Sequence, residues 1–313
     1  MIVLIGGPTA AGKSALALAV AERLGGEIVG ADSRQLYKGL PIASAGPTKA
    51  DLARVPHHLY ESVDPAGEQG GTLSAATFLK LADDVVDDIV QRGRVAVVVG
   101  GTGLYLRALR LGLDEALPTD AVLKKTLEAD LARDGLAALV QRLRGLDVDA
   151  ADAIDRHNPV RVLRTLEIVL LGGNAGQRSI EAMLARPPRD RFADARYLLV
   201  DADGLSERID ARARAMFQGG IVDEATALSG VLPLEHPLLQ TIGVHEALLV
   251  ALGLSGVEAA IETAATRTRQ YARRQRTWFK KEPWWTRVRG DDVDGAIAVI
   301  NGAINGAISG AER

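Results

Sequence analysis

Residues 1–14, MIVLIGGPTAAGKS, constrain the fold of this chain more than any other stretch. Residues 2–5 are an apolar run typical of a β-strand, and residues 7–14 match the phosphate-binding P-loop pattern G-x-x-x-x-G-K-[ST]. Gly7 and Gly12 let backbone N–H groups converge on phosphate oxygens, Lys13 adds a positive charge, and Ser14 offers a hydroxyl to Mg²⁺. The alternative is a glycine-rich turn that matches by chance. The strand before it and the helical pattern after it favour a phosphate site.

The composition is that of a globular protein and excludes several kinds of site. A chain of 313 residues with 47% hydrophobic and 25% charged residues can bury a sizeable core in one large or two smaller domains. It contains no cysteine, which excludes disulfides, Cys-ligated zinc and a thiol nucleophile. The first apolar run is too short to span a membrane and has no basic flank. We therefore expect a cytoplasmic protein that uses no membrane.

Alternating strand and helix patterns predict an α/β fold with a doubly wound parallel sheet. We expect a helix over 13–24, a strand over 27–31, a helix over 74–92 and a strand over 95–99, VAVVV. Residues 36–56 read as a long loop with a short helix at 48–55. Residues 196–201, RYLLVD, are expected to return to the sheet, followed by helices at 206–217, 222–228, 237–252 and 257–280.

At about residue 114 the alternation of strand and helix patterns gives way to helical periodicity with interleaved charges. This change predicts four regions. Residues 1–112 are expected to be the first part of the P-loop core. Residues 113–190 are expected to be a helical insertion domain that ends in a loop over 172–188. Residues 191–290 return to the core and carry basic C-terminal helices, and residues 291–313 form a tail whose INGA repeats favour fraying.

Asp32 is the acidic residue at a predicted strand end near the P-loop. At the carboxyl edge of a parallel sheet it can act as a general base or hold a metal, or it can simply stabilise a turn. P-loop kinases and NTPases usually hold Mg²⁺ with an acid that ends a second apolar strand. Here Val99 is followed by Gly100, Gly101 and Thr102, which argues against a standard NTPase.

Positive charge is concentrated near the C-terminal end of the last long predicted helix. Its cations are Arg267, Arg269, Arg273, Arg274, Arg276, Lys280, Lys281, Arg287 and Arg289, with Tyr271, Trp278, Trp284 and Trp285 interleaved. This pattern favours a nucleic-acid backbone, and the alternative is a solvated helix face with an aromatic core side. Arg208 and Arg212 lie one helical turn apart, which suits a diphosphate as well as it suits an ordinary salt-bridged helix.

Together these stretches resemble the tRNA dimethylallyltransferases, also called tRNA isopentenyltransferases. The matching segments are GPTAAGKS at 7–14, DSRQLYKGLPI at 32–42, VPHHL at 55–59, VVGGTGLY at 98–105, the helix with Arg208, Arg212 and Met216, TIGVHE at 241–246, and TRQYARRQRTWFK at 268–280. They occur in family order and cover about residues 1–285. The P-loop is shared with many proteins, whereas the other blocks together are specific.

The resemblance implies transfer of a dimethylallyl group from dimethylallyl diphosphate to the exocyclic amine of adenosine 37 of tRNA, with Mg²⁺ as cofactor and release of diphosphate. It implies a monomer whose insertion domain contacts tRNA. The implied catalytic residues are Asp32 as general base, Thr102 beside the amine and Arg212 on the leaving group. The implied diphosphate cradle is Gly7, Pro8, Thr9, Ala10, Ala11, Gly12, Lys13, Ser14 and Arg212, with Ser14 on the metal. The implied tRNA contacts are Asp32, Ser33, Arg34, Gln35, Thr102, Lys124, His157, Asn158, Arg161, Gln240, Gly243, His245, Arg273, Arg274, Gln275, Arg276, Trp278 and Lys280.

Two positions depart from the family pattern. Residues 44–47 read Ser-Ala-Gly-Pro where the family usually has T-A-K-P, and Gly243 is followed by Val244 where the family has Tyr. Both departures concern tRNA and loop contacts rather than the base or the phosphate cradle. The alternative functions are a small-molecule or nucleotide kinase that uses ATP in the same loop, and a non-catalytic RNA-binding ATPase.

Overall fold

The structure is a computed structural model that describes residues 1–67, 73–113, 119–185, 191–192 and 194–302. Across these residues six strands form one sheet in the order β3-β2-β4-β1-β5-β6, and every neighbouring pair is parallel. The strands are β1 (Ile2–Gly6), β2 (Glu27–Gly30), β3 (His57–His58), β4 (Ala96–Val99), β5 (Arg196–Asp201) and β6 (Thr286–Arg289). The predicted α/β class with a parallel sheet is confirmed. The edge strands β3 and β6 were not predicted.

Helices connect and flank these strands. They are α1 (Lys13–Leu24), α2 (Pro41–Ser44), α3 (Lys49–Arg54), α4 (Ala75–Gln91), α5 (Gly103–Leu111), α6 (Ala121–Leu146), α7 (Val148–Asp152), α8 (Pro159–Ala185), α9 (Leu205–Gln218), α10 (Ile221–Ser229), α11 (Val244–Ala251), α12 (Val257–Lys280) and α13 (Val293–Ile300). A 3-10 helix covers Pro237–Gln240. None of the described helices is long and apolar enough to cross a membrane.

The central strands are buried on both faces, which explains their continuous apolar sequences. Successive side chains of β1 enter opposite apolar clusters: Leu4 packs with α4 and α5 on one face, and Val3 and Ile5 pack with α1 on the other. Phe78 of α4 stacks on Tyr105 of α5 with ring centroids 4.1 Å apart. Helices on both faces leave the carboxyl edge of the sheet open for a site.

The chain divides into two compact units, one made of Met1–Gly112 with Asp190–Arg313 and the other of Leu113–Arg189. The second unit consists of α6, α7 and α8 around a small apolar core that includes Leu127, Leu143 and Leu166. Gly135, with φ +79°, divides α6 into two helical segments. The part of this unit that the structure describes contains no strand.

Three sequence predictions differ from the structure. The loop expected over 172–188 is helical as far as Ala185, and residues 186–188 lie outside the described residues. A glycine inside a helix costs roughly 1 kcal/mol relative to alanine but removes no backbone hydrogen bond, so the glycines near residue 172 do not end α8. The helix expected over 237–252 is split at Gly243, whose φ is +93°.

The third difference concerns the tail expected to fray from residue 291. Residues Val293–Ile300 form α13, in which Asp292 accepts a hydrogen bond from the Gly295 N–H at the first turn. Ala296 and Ile300 are buried in the same apolar cluster as α1, and this contact stabilises a helix that its glycine content alone does not favour. Residues 303–313 of the INGA repeats lie outside the described residues.

Candidate active site

A cavity of about 540 Å³ lies at the carboxyl edge of the sheet. It is built within the first compact unit from the ends of β2 and β4, the P-loop, α9, α12 and the segment before α11. Its polar and charged lining residues include Thr9, Lys13, Ser14, Asp32, Ser33, Arg34, Gln35, Arg208, Arg212, Gln240, Thr241, Tyr271, Arg274 and Gln275. Most of the residues predicted for the diphosphate and for the reacting amine therefore share one enclosure.

The P-loop takes a shape that only glycine permits at its first position. Gly7 has φ +146°, and a Cβ added there would lie 2.0 Å from the carbonyl oxygen of Val200 on β5. Gly12 has φ +99° immediately before α1. The loop is therefore held tightly against β5 and delivers Lys13 at the first residue of the helix, where the helix dipole favours an anion.

Lys13 is held inside the loop. Its Nζ donates a hydrogen bond to the Pro8 carbonyl oxygen at 2.7 Å. Burial lowers the pKa of Lys13 to about 8; the negative charge of Asp32 opposes this shift and the positive charge of Arg212 adds to it. Because a desolvated ammonium group gains strongly from an arriving anion, this environment suits a phosphate ligand.

Two arginines of α9 face the same loop. Arg212 donates from Nη1 to the Thr9 hydroxyl at 3.0 Å, and burial lowers its pKa while Asp32 opposes that shift. Arg208, one turn earlier, is exposed, and its Nη2 would lie 3.5 Å from a Cβ on Gly12. The pair thus brings two positive charges to the P-loop.

Asp32 begins a turn and keeps one oxygen open. Its Oδ1 accepts a hydrogen bond from the Arg34 N–H at 2.9 Å, which is the turn role considered from the sequence. Among the residues that the structure describes, Oδ2 has no hydrogen-bond partner. The neighbouring Ser33 N–H donates to the Thr102 hydroxyl oxygen at 3.0 Å, so the loops after β2 and β4 are joined beside the carboxylate. Asp32 can therefore stabilise its turn and still accept a proton.

The inner face of α12 ties the site together. Gln275 is buried, with 5% of its surface exposed, and its side-chain amide contacts both Thr9 of the P-loop and Gly101 after β4. Arg267 pairs with the buried Glu246, and Arg269 pairs with Asp210 of α9. We call this set of inward-pointing polar residues, completed by Arg276, the inner face of α12.

The IPP transferase family is matched over residues 35–282 of this chain, which is most of its length. The chain belongs to this family. It is 47% identical over 287 residues to a tRNA dimethylallyltransferase of Anaeromyxobacter dehalogenans strain 2CP-C, covering 90% of this chain and 92% of that protein. The match confirms the resemblance drawn from the motifs and does not favour the kinase alternative.

Solved structures of IPP transferases have the same fold. The crystal structure of the full-length tRNA isopentenylpyrophosphate transferase from Bacillus halodurans is 32% identical with a TM-score of 0.67, covering 96% of this chain and 95% of that one. A eukaryotic dimethylallyltransferase, described crystallographically as acting on tRNA, is 26% identical with a TM-score of 0.79 and covers 97% of this chain and 79% of that one.

Within this IPP transferase, the residues predicted to contact tRNA fall into different environments. Arg273, Arg274 and Lys280 are exposed on α12 and form no ion pair with the described residues. We call these three residues the outer face of α12. The Arg274 guanidinium lies 5.7 Å from the centre of the Tyr271 ring, at the rim of the cavity.

Other residues of α12 that were predicted to contact tRNA point inward. The Oε1 of Gln275 accepts a hydrogen bond from the Thr9 N–H, and its Nε2 donates to the Gly101 carbonyl oxygen. Arg276 donates from Nη2 to Asp201 Oδ1 at 2.7 Å and to the Ala202 carbonyl at 2.8 Å. Trp278 packs against Gly103, where an added Cβ would lie 2.2 Å from its ring. These side chains contact elements that are distant in sequence, which the local sequence does not reveal.

Gly243 is also buried, and a Cβ there would lie 2.8 Å from Met216 Cε. Its N–H donates to the carboxylate of Glu246 at 2.7 Å. The backbone conformation at Gly243 therefore determines the course of residues 240–245. Gln240, at the start of this segment, is exposed and lines the cavity. Gln35 is tied to the turn after α2, because its Nε2 donates to the carbonyl of Ala45 at 3.0 Å.

The remaining predicted tRNA contacts belong to the second compact unit. Lys124 is exposed on α6, and His157 and Arg161 are exposed around the start of α8. Asn158 precedes α8, and its Oδ1 accepts hydrogen bonds from the Val160 and Arg161 N–H groups, as a helix cap does. Asn158 thus has a structural role besides the predicted one.

The predicted site residues did not include the two tyrosines of the cavity. Tyr60 and Tyr271 line the cavity, and burial together with the charge of Asp32 raises the pKa of each phenol, so both remain protonated donors. Thr241 is buried at the cavity wall, and its hydroxyl has no hydrogen-bond partner among the described residues. Tyr271 could have been found, because it lies one helical turn before Gln275 and so shares its face.

The oxygen donors of the cavity fit a divalent cation that is bound together with a phosphate group. The described residues contain no group of three or more His, Asp or Glu that could hold a metal on their own. Ser14 at the start of α1 offers a hydroxyl oxygen at the cavity wall. Mg²⁺ usually combines a few such oxygens with substrate phosphates and water, so this donor set fits Mg²⁺ bound jointly with a diphosphate.

Proposed function

We propose that this protein transfers a dimethylallyl group from dimethylallyl diphosphate to the exocyclic amine of adenosine 37 in tRNA, releasing diphosphate. The observation that carries the proposal is the cavity that Asp32, Lys13 and Arg212 line together. A general base and an anion cradle in one enclosure suit displacement of a diphosphate by a weak nucleophile. Gly100 after β4 supplies no acid of the kind that P-loop kinases use.

On the leaving-group side, the P-loop stabilises departing charge. The adenine nitrogen forms a bond to C1 of the dimethylallyl group while the bond from C1 to the diphosphate oxygen breaks. The electron pair of that bond goes to the diphosphate, so negative charge grows beside Lys13 and Arg212. A preorganised donor at such a position lowers the activation free energy by on the order of 3 kcal/mol.

On the acceptor side, Asp32 removes the proton that the amine loses. The target adenine must leave its stack to reach a buried site, as bases do in other nucleic-acid-modifying enzymes. The Thr102 hydroxyl oxygen accepts a hydrogen bond from the Ser33 N–H. The hydrogen of that hydroxyl group is therefore available to the target adenine. A positioned carboxylate contributes about 10²–10⁴-fold to such a reaction.

The RNA itself is proposed to bind across the exposed cations. Arg273, Arg274 and Lys280 offer unpaired charges for phosphates beside the cavity, and Lys124 and Arg161 offer others in the second unit. Mg²⁺, held by Ser14 and diphosphate oxygens, would neutralise part of the leaving-group charge when bound. The proposal is of a monomer that acts on tRNA in the cytoplasm.

The direct test uses tRNA and two alternative donors. The protein is incubated with a tRNA anticodon stem-loop and with dimethylallyl diphosphate labelled in its dimethylallyl group, or with ATP labelled in its γ-phosphate. We expect label in the RNA from the first donor and none transferred from the second. Phosphate transfer from ATP, or an RNA without label from dimethylallyl diphosphate, would refute the proposal.

Two controls locate the chemistry. A stem-loop with guanosine at position 37 should remain unlabelled. The Asp32→Asn variant should lose about 10²–10⁴-fold in kcat, because the amide cannot accept the proton, while its RNA affinity stays near that of the wild type. An Asp32→Asn variant that turns over normally would remove Asp32 from the role of base.

A further inference from the structure

Gln275 is the α12 residue that contacts both sides of the cavity. Its Oε1 accepts a hydrogen bond from the Thr9 N–H at 2.8 Å, and its Nε2 donates to the Gly101 carbonyl oxygen, also at 2.8 Å. The two partners are a backbone donor and a backbone acceptor, so they define which way the amide points. Gln275 thereby joins two loops that lie far from it in sequence.

Each of these two loops continues to a group with a proposed role in the reaction. On the P-loop side, the Thr9 hydroxyl accepts a hydrogen bond from Arg212 at 3.0 Å. On the other side, Gly101 precedes Thr102, whose hydroxyl accepts from the Ser33 N–H beside Asp32. A continuous path of short contacts therefore leads from the leaving-group cradle through Gln275 to the base.

The packing leaves the Gln275 amide little freedom. A Cβ on Gly101 would lie 2.4 Å from its Nε2, and a Cβ on Gly100 would lie 2.0 Å from the Ala31 carbonyl oxygen. Gly101 thus allows α12 to come close enough for the contact, and Gly100 allows the same loop to lie against the residue after β2. The Thr9 N–H is also committed to Gln275, so this amide shapes the P-loop.

We propose that Gln275 is a positioning residue that sets the separation between the diphosphate cradle and the general base. The inference rests on the proposed transfer reaction. In a displacement, the nucleophile must approach the carbon opposite the leaving group, and a misplacement of about 1 Å can lower the rate on the order of 10²-fold. In this role Gln275 acts through Thr9 and Gly101.

The test is the Gln275→Glu variant, which keeps size and shape but replaces the donor with a carboxylate oxygen. That oxygen faces the Gly101 carbonyl oxygen and repels it. We expect kcat near pH 8 to fall about 10²-fold with little change in the KM for tRNA. Burial raises the pKa of the introduced carboxyl group, and its protonation restores a donor. The kcat of the variant relative to the wild type should therefore rise as pH is lowered from about 8 to about 5.5.

Two further variants complete the test. Gln275→Met fills similar space without either hydrogen bond and should lose kcat at every pH, without recovery. Thr277→Ala, on the exposed side of the same helix, should retain wild-type kcat. A Gln275→Glu variant with wild-type kcat, or with a loss that pH does not reverse, would overturn the positioning role. Failure of the wild-type protein to transfer the label would instead overturn the proposed function.

Discussion

The inner and outer faces of α12 carry the same kinds of side chain in different surroundings. On the inner face, Arg267 and Arg276 meet the carboxylates of Glu246 and Asp201. On the outer face, Arg273 and Lys280 meet solvent. The carboxylates come from elements that are distant in sequence, so the difference is invisible in the charge pattern of the helix. A run of positive charge indicates a nucleic-acid surface only where the rest of the fold leaves it unpaired.

Among the variants that test this difference between the two faces, Arg267→Met on the inner face should have the largest effect. The change leaves the Glu246 carboxylate, which is 1% exposed, without its guanidinium partner. We expect the free energy of unfolding to fall by about 3 kcal/mol, measured by urea denaturation. The salt dependence of tRNA binding should stay as in the wild type. An unchanged stability together with a weaker salt dependence would place Arg267 on the RNA surface.

The outer face should show the reverse pattern in a triple variant, Arg273→Gln, Arg274→Gln and Lys280→Gln. Each lost phosphate contact lowers the slope of log K against log salt by about 0.7–0.9, so the slope should fall by about 2. Stability should change by less than about 0.5 kcal/mol, because these side chains have no ion pairs to lose. Filter binding over a range of salt concentrations checks the first expectation. A slope equal to that of the wild type would contradict the outer-face assignment.

A smaller effect, the pH dependence of diphosphate binding, tests the charge of Lys13 in the cavity independently of the two faces of α12. Because the pKa of Lys13 is about 8, binding of inorganic diphosphate should be strongest below that pH and weaken as the ammonium loses its proton above it. Anion binding favours the protonated form, so the loss approaches about tenfold per pH unit. Calorimetry at pH values from about 7 to 9 measures it. The Lys13→Arg variant corrects for titration of diphosphate itself, because guanidinium stays charged in this range. Identical pH profiles for the two proteins would contradict the role of Lys13.

The smallest effect concerns the family lysine that this chain lacks. Gly46 has ordinary van der Waals room for a Cβ, with the nearest atom, Ser44 Oγ, at 3.7 Å. Gly46→Lys should therefore fold and strengthen tRNA binding by about 1 kcal/mol or less at low salt, through one more phosphate contact. Gly46→Gln provides the uncharged control. Equal affinities of the two variants would mean that this turn does not face the RNA.

Local patterns predicted the parts of the fold whose structure depends on their own sequence. Residues 7–14 form the expected loop between β1 and α1, and the VAVVV run forms β4, because backbone shape and burial follow from residue type there. The place of Asp32 beside the P-loop followed from a general property of parallel sheets. Residue patterns thus predicted much of the cavity.

Other features depend on contacts between distant residues and could not be predicted in this way. Gln275 finds its partners at positions 9 and 101, and Arg269 finds Asp210 on α9. α13 persists because Ala296 and Ile300 are buried by other elements, which the weak helical composition of that segment does not indicate. Propensity and charge counts contain no information about such partners.

The shape of the P-loop also has a consequence for the order in which the chain is made. Gly7 is confined by the carbonyl of Val200, Thr9 is held by Gln275, and Gly12 lies against Gly290. A ribosome therefore produces the complete P-loop sequence long before the residues that complete its surroundings. A nascent chain released before residue 275 would contain the whole motif but lack the acceptor for the Thr9 N–H. The P-loop becomes a finished site only after the residues up to Gly290 have been made.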